Sequence, residues 1–330
     1  MKKTASSIFY AFALVSIVSC SNKEQSKEGL LFTKLDPSET GISFLNEVKN
    51  GADMNIFKYR NFYNGGGVAA ADFNNDGLTD LYFTGNQVLN ALYLNKGDMQ
   101  FEDISVKAGI EGFSDWKTGV TMADVNADGF LDIYICAVGN YKGLEGSNEL
   151  YINNGDNTFT EKSNEFGLDF TGFSTQAAFF DYDLDGDLDI YLMNHSVHHN
   201  GTFAARENFL NTYHPLSGDR FYKNENGKYI DATKETGINS SAIGYGLGIC
   251  VSDINKDGWP DLYIGNDFHE NDYLYINNGD KTFTESSAAY FNHISQSVYL
   301  LYFAKHFSIF FYFNLECLFS TNVIGTNCSV

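Results

Sequence analysis

One short acidic phrase occurs four times in the chain, and no other feature constrains the fold as strongly. Its pattern is Asp-x-Asx-x-Asp-Gly-x-x-Asp, and the copies begin at Asp72, Asp124, Asp181 and Asp253. Each copy follows an apolar stretch and precedes a β-rich one such as LYFTGN or IYICAVGN. Self-similarity at roughly 50–70 residues is the signature of repeat architectures. The sequence therefore predicts at least four copies of one structural unit.

A second repeated phrase within each unit predicts a hairpin. It reads YLNKGD, YINNGD, YKNENG and YINNGD, and its Asn and Gly residues tolerate the positive φ of tight turns. In the first unit we expect strands near 67–72, 79–84, 91–95 and 99–103, with no helical periodicity. These units predict an all-β fold, a β-propeller of four-stranded blades. A β-sandwich with repeated hairpins is the alternative.

The acidic phrases have the composition of loops that wrap a hard cation. Oxygen ligands at alternate positions, followed by Gly at a sharp turn, suit Ca²⁺, whereas Mg²⁺ demands a tighter octahedron. Without a cation, carboxylates packed so closely would repel one another. We predict one structural calcium ion per loop, about four in all. The predicted ligands, which include the backbone carbonyl at each seventh position, are Asp72, Asn74, Asp76, Leu78 and Asp80; Asp124, Asn126, Asp128, Phe130 and Asp132; Asp181, Asp183, Asp185, Asp187 and Asp189; and Asp253, Asn255, Asp257, Trp259 and Asp261.

An EF-hand is the competing interpretation of these loops, because it begins in the same way. That motif needs Glu at position 12 and helices on both sides. Position 12 is apolar in every copy here, and the flanking segments are strand-like: the four residues are Phe83, Ile135, Leu192 and Ile264. The EF-hand interpretation is therefore rejected.

The first thirty residues predict an export signal and a tether. Lys2 and Lys3 precede an apolar run that ends at Ser19-Cys20, which is too short for a comfortable membrane span. We assign 1–19 to a signal peptide and 20–30 to a polar tether. The alternative is an ordinary signal peptide with an incidental cysteine.

Several of these motifs resemble known families. A small residue followed by Cys20 resembles a bacterial lipoprotein signal, which implies lipidation of Cys20 and membrane attachment through it. The acidic phrase between two strands resembles the FG-GAP or VCBS repeat, also found in integrin α-chain propellers. The opening phrases FTKLDPSETGISF and YRNFYNGGGVAAADFNNDG resemble bacterial relatives of cartilage acidic protein, the group whose longer members end in an ASPIC/UnbV domain. This resemblance implies calcium-bearing blades over 31–293, usually in sevens, in an extracellular or membrane-anchored protein.

The chain departs from that pattern after the fourth unit. Residues 294–330 are rich in aromatic residues and carry no further acidic phrase. Three interpretations stay open for this tail: a membrane-associated segment, a divergent closing strand, or out-of-frame sequence after a truncation. The four units are accordingly predicted to form an incomplete ring.

Composition limits the classes of partner. The chain has 42 acidic and 21 basic residues, a formal net charge of −21, so a nucleic-acid ligand is not expected. Loops that vary between units are candidates for partner binding, with Tyr141, His195 and His269 as candidate contacts. The sequence contains no G-x-S-x-G, H-E-x-x-H or P-loop motif, so enzymatic activity is not predicted.

These inferences combine into one functional hypothesis. We expect an exported, calcium-binding β-propeller that acts as a binding or adhesion module for a protein or glycan at the cell envelope. The predicted location is the outer membrane, through a lipid anchor, or the cell surface. Two alternatives remain: a glycan-active envelope enzyme on a propeller scaffold, and a non-functional fragment of a longer ASPIC/UnbV-type protein.

Overall fold

The computed structural model describes residues 31–196, 206–267 and 270–291. The predicted signal peptide (1–19), the tether with Cys20 (20–30), His269 and the tail (294–330) lie outside the described residues. The chain divides into a unit of residues 1–36 and a unit of residues 37–330. All helices and strands given below belong to the second unit.

The described chain contains four antiparallel sheets of four strands each. The strands are β1 Val68–Ala71, β2 Asp80–Phe83, β3 Ala91–Asn95 and β4 Phe101–Asp103 in blade one; β5 Lys117–Ala123, β6 Asp132–Ala137, β7 Glu149–Asn153 and β8 Phe159–Glu161 in blade two; β9 Ser174–Phe180, β10 Asp189–Asn194, β11 Arg220–Asn224 and β12 Tyr229–Asp231 in blade three; and β13 Gly246–Ser252, β14 Asp261–Asn266, β15 Tyr273–Asn277 and β16 Phe283–Glu285 in blade four. Strands pair in chain order in every sheet. The prediction of an all-β fold made of four-stranded blades is confirmed.

The strands form where β-branched and aromatic residues are dense, since such side chains suit a pleated, buried surface. The second strand of blade two, Asp132–Ala137, is buried along its whole length. In blade one, Ala71 pairs with Asp80, so residues 72–79 close the connection between the first two strands. The fold thereby places each acidic phrase in a loop at one end of its blade.

The helices are short and lie outside the sheets. They are α1 Pro37–Thr40, α2 Ser105–Ala108, α3 Ser163–Phe166 and α4 Ser287–Tyr290, with 3₁₀ turns at Arg60–Tyr63 and Arg206–Asn208. Two of them end in left-handed glycines, Gly109 at φ 72° and Gly167 at φ 81°. Single turns are too short to produce a helical period in the sequence, so the prediction missed them. Among the described residues, no helix combines the length and apolarity that a membrane crossing requires.

The hydrophobic core lies between consecutive blades. Tyr82 and Leu92 of blade one pack with Ile133 and Ile135 of blade two, and similar clusters join blades two and three and blades three and four. In the described part of the chain no core cluster joins blade four to blade one. The first strand of blade four is correspondingly open, with Leu247 50% exposed. These contacts fit an incomplete ring of blades.

Candidate metal centres

Each acidic loop is held in shape by its own carboxylates. In the first loop, Asp72 accepts hydrogen bonds from the backbone N–H groups of Asp76, at 3.0 Å, and Gly77, at 2.7 Å. Asp76 in turn accepts from the N–H of Leu78 at 2.9 Å. The other three loops repeat this pattern. The first-position carboxylate of each loop therefore binds the backbone of the fifth and sixth positions.

The tight turn forces left-handed backbone at two positions of every loop. The sixth-position glycines adopt it without strain, as Gly77 does at φ 85°. The fourth position is also left-handed, even where the residue is Ala127 or Leu184, both at φ 57°. Such a conformation costs a non-glycine residue about 1–2 kcal/mol. The loops thus keep a strained backbone, a feature that functional sites often show.

The ninth-position aspartates play a structural part that the sequence alone did not reveal. Asp132 is buried, and its two oxygens accept the N–H groups of Val125, at 2.9 Å, and Asn153, at 2.8 Å. Asp80, Asp189 and Asp261 bind equivalent backbone groups. These predicted metal ligands therefore fasten each loop to the third strand of its own blade.

Burial also changes the acidity of these carboxyl groups. It raises the pKa of Asp132 to about 6 and that of Asp189 to about 7, partly opposed by the backbone hydrogen bonds they accept. It raises the pKa of Asp80 as well. Neighbouring loop carboxylates add to the upward shift of the pKa in all three groups. A bound cation would relieve this repulsion.

The residue at the third position of the acidic phrase distinguishes the loop of blade three from the other three loops. Asn74 donates its amide N–H to Asp76 at 3.1 Å, and Asn126 and Asn255 do the same in their loops. The carboxylate side chain of Asp183 has no N–H to donate, and its buried Oδ1 atom has no hydrogen-bond partner. Its carboxylate oxygen lies within 4.8 Å of oxygens from Asp181 and Asp189.

This donor set fits a hard divalent cation. All of the side-chain atoms that could ligate a metal in these loops are carboxylate or amide oxygens, which Ca²⁺ prefers. A buried oxygen without a partner is rare in folded proteins and marks a place for an ion or water. The residues at the seventh position lie in the loops as well, and Phe130 and Trp259 face the hairpin glycines Gly155 and Gly279 of their own blades.

Neighbouring blades also hold the loops. Asn153 of blade two donates its side-chain N–H to the carbonyl of Phe73 in the first loop, at 2.8 Å. Asn277 of blade four donates likewise to Tyr182 in the third loop, at 2.8 Å. Sequence reasoning assigned these asparagines only to a hairpin turn, although their recurrence in the same phrase was a usable signal. Each of these two loops is thereby tied to the next blade.

The opposite end of the blades carries connections of different lengths between the second and third strands. We call it the variable end, and its connections are 84–90, 138–148, 195–219 and 267–272, described except for 197–205 and 268–269. Residues 42–66 lie across it. Asn46 donates to Asn86 of blade one at 2.7 Å, and Tyr59 packs edge-on against Trp116, just before blade two, at 5.4 Å. Tyr245, just before the first strand of blade four, donates to Asn61.

Two of the candidate partner contacts lie beneath this segment. His195 is 2% exposed, and Tyr141 packs on Tyr59 and Phe173. His195 Nδ1 lies 2.9 Å from the Ser196 carbonyl, and Nε2 lies 3.2 Å from the Tyr59 hydroxyl. The structure therefore places His195 in the interior rather than on an exposed face.

Burial makes His195 a source of acid sensitivity. Desolvation lowers its pKa from 6.5 to about 4, so between these values the unfolded chain binds a proton that the folded chain does not. Stability from this group is complete above pH 6.5 and falls by up to about 3 kcal/mol as the pH drops to 4. We expect His195→Gln to flatten the fall of the urea-unfolding free energy over this window. Asp132 and Asp189, whose pKa values burial raises to about 6 and about 7, are present in both proteins, so equal slopes in the two would contradict the assignment.

Three segments of the chain match the family model of the FG-GAP-like repeat: residues 72–135, 136–192 and 253–304. Together they cover more than half of the chain.

Curated relatives show a similar relationship. The chain is 27% identical over 231 residues to cartilage acidic protein 1 of Xenopus tropicalis, covering 68% of this chain and 31% of that protein. It is 26% identical over 239 residues to human cartilage acidic protein 1, covering 70% and 32%. The chain thus spans about a third of the length of these relatives.

A solved structure of an Agrocybe aegerita lectin, described as recognising non-reducing terminal N-acetylglucosamine, aligns with 66% of this chain and 50% of its own. The identity is 19% and the TM-score 0.36, too low to support an argument from structure.

Proposed function

Because the chain belongs to the FG-GAP-like repeat family, we propose that it is a calcium-stabilised β-propeller that acts as a binding or adhesion module. The four acidic loops would hold the ions, and the blades would present the ligand surface. Bound Ca²⁺ would place positive charge among the loop carboxylates. Oxygen ligands from several positions of the loop would then be joined through the same ion. Hydrogen bonds within the chain hold the loops in place. Asp132 and its counterparts fix each loop to a strand, and Asn153 and Asn277 fix two loops to the next blade.

One observation carries the binding role: aromatic side chains are exposed at the variable end. Phe57 is 94% exposed on the segment that crosses this end, and Phe113, in the connection between blades one and two, is 57% exposed. Aromatic rings supply large contact areas and are enriched where proteins bind partners. Phe57 and Phe113 lie on a scaffold whose blades are packed against one another, so little backbone would have to become ordered when a partner binds.

We further propose that the protein is exported and anchored at the envelope through a lipid on Cys20. The support is the lysine-flanked apolar run and the Ser19-Cys20 junction. The ligand class would be a surface protein or a glycan.

Binding of the purified chain to panels of polysaccharides and cell-surface proteins tests this function. Phe57→Ser combined with Phe113→Ser should weaken retention of the bound ligand about tenfold or more, without lowering the melting temperature. Met99→Ser provides a matched control, because Met99 is 56% exposed on a hairpin at the acidic-loop end. Equal retention by all three proteins would refute the assigned surface, and turnover of a glycan without retention would favour the enzymatic alternative.

A further inference from the structure

The third acidic loop carries more negative charge than the other three. It has aspartate at every alternate position from the first to the ninth: Asp181, Asp183, Asp185, Asp187 and Asp189. The other loops have asparagine at the third position and an apolar residue at the seventh. The charge of the ligands is one of the properties by which proteins tune calcium affinity.

Asp183 is also placed to receive a cation. Its side chain is 6% exposed, and its Oδ1 atom has no partner. Its other oxygen, Oδ2, accepts a hydrogen bond from Lys281 Nζ at 2.6 Å. In the other loops the third-position amide donates to the fifth-position aspartate, so those side chains are satisfied without a metal. Leaving a buried acceptor unpaired costs free energy that a cation at Oδ1 would recover.

Lys281 reaches this loop from the next blade. It lies in the hairpin of blade four, in the phrase NNGDKTFTE, where the hairpin of blade two reads NNGDNTFTE with Asn157. Both hairpins dock on the preceding loop through the asparagine that ends the third strand, Asn153 or Asn277. An added carboxylate in the loop therefore coincides with an added ammonium in the hairpin that faces it.

We propose that the third loop is the tightest of the four calcium sites and that Lys281 is a built-in cation that moderates its affinity. This inference rests on the calcium binding proposed above. When no metal is present, the Lys281 ammonium offsets one loop carboxylate and holds blade four to blade three. When the ion binds at Oδ1, the same ammonium is a positive charge beside it and opposes binding. Because Lys281 is 66% exposed, solvent screens this effect to a few-fold change.

Terbium and calcium titrations of the purified full chain test the proposal. Among the four acidic phrases, Tyr182 in the third is the only tyrosine and Trp259 in the fourth is the only tryptophan. We therefore assign to the third loop the part of the tyrosine-sensitised terbium emission that Asp183→Asn changes, and to the fourth loop the tryptophan-sensitised part. We expect the tyrosine-sensitised signal to saturate first. Asp183→Asn should weaken that site by about tenfold and leave the tryptophan-sensitised site unchanged. Lys281→Met should tighten the third site a few-fold, which a purely structural lysine would not do.

Two further variants sharpen the result. Asp183→Asn with Lys281→Asn recreates the third position of the first loop and the matching residue of the blade-two hairpin, so its affinity should fall toward that of the weaker sites. Asp280→Asn removes a charge from the same hairpin while keeping its acceptor for Thr282, and should change the affinity much less than Asp183→Asn does. Four equal sites, or weaker binding by Lys281→Met, would overturn this inference but leave calcium binding intact. No binding of either metal by the parent chain would overturn both.

Discussion

Removing calcium with EDTA should lower the melting temperature of the purified chain by about 20 °C. A ligand at a hundred times its dissociation constant adds about 2.7 kcal/mol per site to the stability of the folded state. Four such loops together contribute on the order of 10 kcal/mol, and each kcal/mol moves the melting temperature of a chain of this size by roughly 2–4 °C. In the third loop, carboxylate oxygens of Asp181, Asp183 and Asp189 lie within 4.8 Å of one another, and a bound cation would relieve their repulsion.

Differential scanning calorimetry in calcium, in EDTA and after calcium is restored measures this effect. Magnesium at the same concentration is the control for a general effect of divalent charge, and it should restore much less stability, because it gives up its waters reluctantly. A melting temperature that is the same in calcium and in EDTA would show that the loops do not depend on a metal.

The second large effect comes from a carboxylate that works with or without the ion. Asp132→Ala leaves the buried N–H groups of Val125 and Asn153 without acceptors. Each unpaired buried donor costs about 1–3 kcal/mol, so the variant should lose about 4 kcal/mol in EDTA and at least as much in calcium.

Asp128→Asn is the matched comparison in the same loop. Asp128 is exposed, and asparagine retains an oxygen for the N–H of Phe130. The only acceptor lost is the one for the exposed Asn126 amide, which water can replace, so this variant should be nearly as stable as the parent in EDTA. In calcium it should lose most of the stabilisation that one ion gives, about 2–3 kcal/mol. Urea denaturation of the three proteins under both conditions separates the two roles. Loss of stability by Asp132→Ala only in calcium would mean that Asp132 acts chiefly through the metal.

The repeated phrases were sufficient to predict the blades, because strand and turn preferences there agree with the tertiary fold. Strand bounds in the first unit differ from the prediction by at most two residues, as at Phe101. The position of the acidic phrases between the first two strands of each blade was equally predictable, because the phrase and its flanking strands are adjacent in the sequence.

Contacts between distant parts of the chain could not be predicted from spacing. Asp132 looks like any other loop carboxylate until the third strand brings the N–H of Asn153 to it. His195 stands in a polar stretch of sequence, yet the segment containing Tyr59 covers it. Burial of this kind is decided by packing between blades, which a single sequence does not encode locally.

The segment at residues 42–66 also has a consequence for how the protein is made. Asn61 accepts its hydrogen bond from Tyr245, which lies 184 positions later in the chain. Tyr59 contacts His195, which lies 136 positions later. A ribosome therefore releases this stretch long before its final contacts exist. Long sequence separations slow folding, because the intervening chain must be ordered before the contact is gained. Until the third blade has emerged, Tyr59 and Phe62 lack part of the core cluster that covers them, and apolar surface exposed in this way makes a nascent chain prone to aggregation.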